Sequence, residues 1–212
     1  MGNDVIPGCT LWTDIAEEDL SRFVLQLGYP VSDRRGGPFL QELEVQSRSE
    51  ARPRSLSAAY GAGALPLHTD GAAHRRPPSY TLLYCRNAGA DPVATNVLPF
   101  GRLELSKADR RVLSSVPWAI NGGPGRRFLR PVIEGDRVRY DPVCMRPPNS
   151  GRPTALRLTA ALADAKPTAV PLHPGQALLI DNGLVLHGRA DATNVGGKRL
   201  LLRVLISSEE LT

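Results

Sequence analysis

The stretch Leu65-Pro66-Leu67-His68-Thr69-Asp70-Gly71 sets an imidazole and a carboxylate two residues apart in a segment that reads as extended. Side-chain direction on a strand repeats every two residues, so His68 and Asp70 project to one side and can hold one ion together. Mixed nitrogen and oxygen donors suit a redox-active divalent metal such as Fe(II), and two histidines with one carboxylate on one face leave positions open for substrate and O2. Such a set needs a second imidazole. Taken alone, the pair also suits a solvated or capping role. The metal reading gains from Ile180-Asp181-Asn182-Gly183-Leu184-Val185-Leu186-His187-Gly188-Arg189, which supplies His187, and from the following Lys198-Arg199-Leu200-Leu201-Leu202-Arg203.

The elements that must carry these residues are mostly short strands. Tyr80–Cys85 is a near-continuous apolar run of strand length, as a strand buried on both faces requires. Val93–Val97 is a second strand, and Arg127–Ile133 with Arg137–Tyr140 reads as a hairpin about Glu134-Gly135-Asp136. Strands are expected at 170–172, 176–180, 184–187 and 199–206, separated by His173-Pro174-Gly175 and Asp181-Asn182-Gly183. Ser55–Tyr60 reads as an extended lead into the His68 stretch. Helices are few. One is capped by Asp14, with Glu17 three residues on and Gly28 as terminator; a short one spans Phe39–Val45; Ser106 caps another through Leu113; and Thr154–Ala165 is the longest. Many short strands punctuated by Gly, Pro, Asn and Asp, with few helices, predict a mainly β sandwich or jelly-roll barrel, in which ligands distant in sequence face one cavity.

Composition narrows the class. With 212 residues, 42% of them hydrophobic, the chain fits one domain, residues 1–212, rather than two. The N-terminus lacks a cationic region followed by an apolar run, and no stretch nears the roughly 18 apolar residues of a membrane span, so a cytoplasmic protein without a membrane partner is expected. Cys9, Cys85 and Cys144 form no Cys-x-x-Cys, which argues against both a disulfide framework and a zinc knuckle. The charge of +5 comes from arginine, since only Lys107, Lys166 and Lys198 are lysines. Its Arg-Arg pairs at 34–35, 75–76, 110–111 and 126–127 are scattered and aromatics are 5%, which favours solvated surface over a nucleic-acid stripe. Arg75 and Arg76 stand apart, because they follow the His68–Asp70 stretch and can draw an anionic substrate toward it.

Five stretches, in order over nearly the full chain, carry a family resemblance: Leu67-His68-Thr69-Asp70-Gly71; Pro77-Pro78-Ser79-Tyr80-Thr81-Leu82-Leu83-Tyr84-Cys85; Val138-Arg139-Tyr140-Asp141-Pro142-Val143-Cys144-Met145; Pro174-Gly175-Gln176-Ala177-Leu178-Leu179-Ile180-Asp181-Asn182; and His187-Gly188-Arg189 with Arg199-x-x-x-Arg203. The chain resembles the taurine dioxygenase and clavaminate synthase-like group of Fe(II)/2-oxoglutarate-dependent oxygenases. The resemblance implies a double-stranded β-helix, the cupin-like jelly-roll barrel, with a few flanking helices. It implies Fe(II) held by His68, Asp70 and His187, 2-oxoglutarate as cosubstrate with its far carboxylate on Arg199 and Thr95, and O2 as oxidant. Decarboxylation to succinate and CO2 then drives hydroxylation of a substrate, and no catalytic residue beyond the metal ligands is expected.

Several roles stay open at this level. Thr95 stands later than the family's threonine, so an outward strand position suits it as well. Arg203, four residues from Arg199 and about 13 Å away along a strand, has the same facing; it serves either the substrate's anionic group or a structural salt bridge. Arg189 is either a partner behind the ligands or part of a buried ion pair. His173 and His74 read as turn and loop residues, Asp181 and Asn182 as turn residues. The substrate expected is a small polar or anionic molecule, an amino acid or specialised-metabolism intermediate, free or carrier-tethered. A cupin-like isomerase or metal-binding protein without oxygenase activity is the alternative, and it has no need of Arg199.

Overall fold

The computed structural model describes residues 2–34, 36–194 and 198–210. Its centre is the strand Tyr80–Asn87, whose residues Thr81 to Cys85 are at most 5% exposed. Alternation sorts them between two cores: Leu82 and Tyr84 join Leu20 and Val24 of the helix Leu20–Leu27, whereas Leu83 and Cys85 join Val97, Leu178 and Val185. An unbroken apolar run is therefore what a central strand covered on both faces demands.

Around that strand lies an antiparallel sheet in the order Asn3–Ile6, Cys9–Trp12, Ala177–Asp181, Tyr80–Asn87, Leu200–Ser207, Tyr29–Val31, with Leu40–Glu44 also paired to Leu200–Ser207. A second antiparallel sheet runs Thr168–Val170, Thr95–Pro99, Val185–Arg189, Leu65–His68. The two sheets face each other through the core that holds Leu83, Val97, Leu178, Val185 and Leu201. Behind the second sheet, Leu98 and Leu186 pack with Leu113 and Leu158 of the helices Lys107–Ser115 and Arg152–Asp164. The molecule is thus mainly β, with helices on the outer faces of two antiparallel sheets. No described helix is long and apolar enough to cross a membrane.

Several expected elements are corrected. Residues 40–44 form a strand, not a short helix: Gln41 and Leu43 are half-buried while Leu40, Glu42 and Glu44 are exposed, the period of two that a strand edge needs. Ser55–Tyr60 is not extended, because Ser55 Oγ accepts the Ala58 N–H at 3.1 Å and caps the helix Leu56–Tyr60. Asp14 has φ +58° and caps nothing; the first helix begins at Leu20 after a single turn at Glu17–Asp19. Arg127–Arg130 pairs with Trp118–Asn121, leaving only Ile133–Glu134 and Arg137–Val138 as the hairpin. The strand placed at Val93–Val97 runs Thr95–Pro99. The strands around His187 and Arg203, the Ser106-capped helix, and the long helix lie within two residues of their expected bounds.

Candidate metal centre

His68 and His187 are direct cross-strand partners in the second sheet, and their ring centroids lie 4.5 Å apart. Asp70 follows in the turn that leaves the His68 strand. One ligand atom from each of His68, Asp70 and His187 lies within 4.8 Å of the others, and all three residues are buried. Asp70 Oδ2 is 3.3 Å from His187 Nε2. Two neighbouring ligands at right angles on bonds of about 2.1 Å stand about 3 Å apart, so this spacing fits a first-row divalent ion between them.

The backbone around the triad is shaped for this approach. The ladder shifts register between His187 and Arg189, and a Cβ on Gly188 would lie 2.5 Å from the Leu65 carbonyl oxygen, so only glycine lets the two histidine strands come this close. Gly71, at φ +64°, turns the chain away under Pro78 directly after Asp70. Between the two ligands Thr69 is tied to Tyr140: its N–H donates to the Tyr140 carbonyl at 2.7 Å and its Oγ accepts the Tyr140 N–H at 3.0 Å.

Hydrogen bonds behind the triad fix its protonation. His68 Nδ1–H donates to the Pro66 carbonyl at 2.9 Å, which leaves Nε2 with its lone pair for a metal. Burial first, and then the neighbouring His187, hold the His68 imidazole well below the ordinary histidine range, so it is neutral. Burial alone would raise the Asp70 carboxyl. The Arg203 guanidinium at 2.5 Å and the bond to His187 outweigh it and keep Asp70 ionised far below the usual carboxylate range. Thr81 Oγ adds a bond to Asp70 Oδ2 at 3.0 Å. Asn182 clasps the Asp70 main chain from both ends, accepting its N–H at 2.7 Å and donating Nδ2–H to its carbonyl at 2.9 Å. Sequence reasoning took Asn182 for a turn residue and passed over Thr81. The hydroxyl of Thr81 in an otherwise apolar strand was the available signal; Asp-Asn-Gly reads as a turn whatever else the Asn does.

A cavity of about 250 Å³ contains the triad and is also lined by Thr95, Arg189, Arg199 and Arg203. Strand parity explains their arrival: Leu201 faces the core between the sheets, so Arg199 and Arg203, two residues to either side, face the same way. Thr95 is 3% exposed and its Oγ accepts an Arg199 N–H at 3.1 Å, which excludes the outward position. Arg189, also in the cavity wall, donates to the carbonyls of Gly61 and Gly63 at 2.7 Å each, with the Asp191 carboxylate nearby. Arg199 has no carboxylate partner among the described residues; burial and then the nearby Arg189 lower its pKa to about 10. Arg203 bonds Asp70 and Gln41. Arg75 and Arg76 are exposed and line a different cleft, outside this cavity. His74 Nε2–H donates to the Asp33 carbonyl at 2.8 Å, and His173 is exposed in its turn.

No protein-family model matches the chain. Among solved structures, the non-heme iron oxygenase OrfP in complex with Fe, succinate and (3S)-hydroxy-L-Arg is similar over 90% of this chain, at 22% identity and a TM-score of 0.71. OrfP with Fe and alpha-ketoglutaric acid matches over the same share at 24% identity and a TM-score of 0.70. Asparagine oxygenase with Fe(II), 2S,3S-3-hydroxyasparagine and succinate is similar over 95% of this chain, at 20% identity and a TM-score of 0.76. This chain spans 66% of the first OrfP chain and 74% of the asparagine oxygenase. The likeness establishes the fold: the two facing sheets are arranged as in these solved structures.

Proposed function

We propose that this chain is a non-haem Fe(II)/2-oxoglutarate-dependent dioxygenase of the taurine dioxygenase and clavaminate synthase-like kind. In this reading residues 1–212 act as one double-stranded β-helix domain that hydroxylates a small polar or anionic molecule, an amino acid or specialised-metabolism intermediate. The observation that carries it is an unmatched charge: Arg199, buried in the wall of the triad cavity, has no carboxylate partner among the described residues, and the neighbouring Arg189 adds a second positive charge whose nearest acid is Asp191. Buried like charges are costly unless an anion joins them. A dicarboxylate cosubstrate supplies that anion, and a planar guanidinium binds its far carboxylate with two parallel hydrogen bonds.

His68, Asp70 and His187 would hold the iron. With 2-oxoglutarate and O2, the bound metal supplies the oxidising power to break an unactivated C–H bond. The chain supplies the rest. Pro66 keeps the His68 lone pair aimed inward, Arg203 keeps Asp70 ionised, and Asn182 and Thr81 hold its position. Arg199, held by Thr95, fixes the cosubstrate's depth, and Leu83 and Leu201 exclude water from part of the wall. The hydroxylated amino acids bound in the similar structures support an amino-acid-like substrate.

The cupin-like isomerase reading shares the triad but gives Arg199 no purpose. Mixing the protein with Fe(II) and 2-oxoglutarate without oxygen separates the two. A visible charge-transfer band, lost in Asp70→Ala, is expected, together with aerobic succinate release stimulated by members of an amino-acid panel. Neither band nor succinate release from a protein that binds Fe(II) would overturn the oxygenase reading.

A further inference from the structure

Arginine pairs that are far apart in sequence meet in space. Arg34, Arg75, Arg76, Arg126 and Arg127 line one cleft of about 590 Å³ with Phe128 on its wall, and among the described residues none that lines it carries a carboxylate. Both members of the 75–76 and 126–127 pairs, with Arg34, thus contribute exposed guanidinium groups to a single concavity. Arg75, Arg76, Arg126 and Arg127 make no ion pair among the described residues, and Arg34 has only a 4.0 Å contact to Asp33.

The cleft rests on a fixed frame. The buried Arg139 guanidinium donates to the carbonyls of Ala72, His74 and Arg75 at 3.2, 2.7 and 3.2 Å, so the chain bearing Arg75 and Arg76 is clamped from beneath. On the opposite wall the Gly122 N–H donates to the Arg126 carbonyl at 2.8 Å, and the Arg126 N–H to the Gly123 carbonyl at 3.1 Å. Guanidinium groups free to diverge into solvent cost little. Here the backbone on both walls is fixed, and the exposed guanidinium groups it carries border one space, where together they raise the local potential and collect an anion.

This cleft adjoins the metal cavity. Gly71 lines one and Ala73 the other, and two residues of chain span at most about 7 Å. Arg54, in the wall of the metal cavity, reaches the loop of the arginine cleft, where its Nη2 lies 3.2 Å from the Cβ position of Gly123.

We propose that the cleft binds a phosphoryl group carried by the substrate, at the end remote from the group that enters the metal cavity. Several guanidinium forks around one concavity match the multiple acceptor oxygens of a phosphate ester better than the two of a carboxylate. The substrate is then a small acid or amino acid joined to a phosphate-bearing extension. A phosphopantetheine arm and a nucleotide are two sources of that chemistry. What enters the metal cavity rests on the oxygenase reading; the phosphoryl site does not.

Calorimetric titration of the metal-free protein with inorganic pyrophosphate tests the site directly. Saturable binding is expected, weakened at least tenfold in Arg75→Glu/Arg76→Glu and in Arg126→Glu/Arg127→Glu, with the melting temperature of either variant unchanged. Pantetheine 4′-phosphate binding better than pantetheine and better than ADP assigns a carrier arm; ADP binding best assigns a nucleotide. No binding, or equal binding by folded charge-reversal variants, overturns the proposal. So does a random oligonucleotide that binds tighter than pyrophosphate with a steep salt dependence, since that marks a nucleic-acid surface. The charge-transfer band and succinate release, measured separately, keep the two readings apart: pyrophosphate binding by a protein that binds Fe(II) but shows neither band nor succinate release sinks the oxygenase, and turnover without pyrophosphate binding sinks the cleft.

Discussion

Arg199 and Arg203 share a strand and a facing, yet their surroundings assign them different tasks. Among the described residues Arg199 has only a threonine hydroxyl as partner and an unmatched charge, whereas Arg203 is already committed to Asp70 and Gln41. Removing the partner of a buried charged group costs about 2–5 kcal/mol, so Arg199→Ala should weaken 2-oxoglutarate binding by roughly thirtyfold to several thousandfold while sparing iron binding. Arg203→Ala should instead weaken anaerobic Fe(II) binding, because Asp70 loses the charge that keeps it ionised. An Arg203→Ala protein that binds iron normally and loses only substrate stimulation would show that Arg203 leaves Asp70 once the metal is in place. The shared facing of His68 and Asp70, and of Arg199 and Arg203, was legible from spacing on a strand, whereas the full ligand set and the part of Arg199 came from the family resemblance. Asn182 and Thr81 were not, since their contacts with Asp70 exist only after two distant segments meet.

Protonation at the same residues sets a pH dependence. Burial, then His187, keeps folded His68 neutral at pH values where an unfolded histidine, with a pKa of about 6.5, has taken up its proton. The unfolded state therefore binds more protons, and the stability of the metal-free protein must fall as pH drops below about 6.5. Asp70 is shifted down in the folded state, so its contribution is fully present above the unfolded carboxyl pKa of about 4 and is lost only below it. The two windows adjoin. Urea unfolding of the metal-free protein at pH 7.5 and 5.5 should show the wild type losing stability and His68→Gln losing less; an identical loss in both would move the effect to another group.

At the scale of elements, the site depends on how closely two strands approach. Gly188 permits the contact between the His187 and His68 strands, and an added methyl would strike the Leu65 carbonyl at 2.5 Å. Gly188→Ala should therefore cost at least about 1–3 kcal/mol and weaken iron binding together with it. Gly101→Ala, where no atom beyond the adjoining residues of the chain lies within 4 Å of the added Cβ, should do neither. A Gly188→Ala protein of wild-type stability would refute the close approach. Strands whose pattern was continuous or strictly apolar, such as Tyr80–Asn87, were readable in advance. Leu40–Glu44 was missed because a short edge strand of alternating Leu, Gln and Glu also suits a short amphipathic helix; its pairing with Leu200–Val204 decides the matter. The helix Leu56–Tyr60 was missed because its serine cap and its serine-rich composition look alike in sequence.

At the scale of the whole molecule, the layered arrangement divides stability from substrate selection across one strand. The layering was foreseeable from strand count and apolar alternation, but the gathering of the arginine pairs was not, because nothing in a sequence pairs residue 75 with residue 126 before the chain folds. Leu82 and Leu83 are adjacent, yet Leu82 is fully buried against the Leu20–Leu27 helix and Leu83 lines the metal cavity. Leu82→Ala opens a void far from the site and should cost about 2–5 kcal/mol, a large part of the roughly 5–15 kcal/mol that holds a protein folded. At about 2–4 °C per kcal/mol for a chain of this size, its melting temperature should fall by about 4–20 °C, while substrate preference measured well below that temperature stays as in the wild type. Leu83→Ala borders space that already exists, so its stability loss should be smaller, and the enlarged cavity should shift succinate release toward bulkier members of an amino-acid panel. If Leu82→Ala changed the preference and Leu83→Ala did not, the strand's two faces would be assigned the wrong way round, and the parity that places Arg199 and Arg203 in the cavity would fall with them.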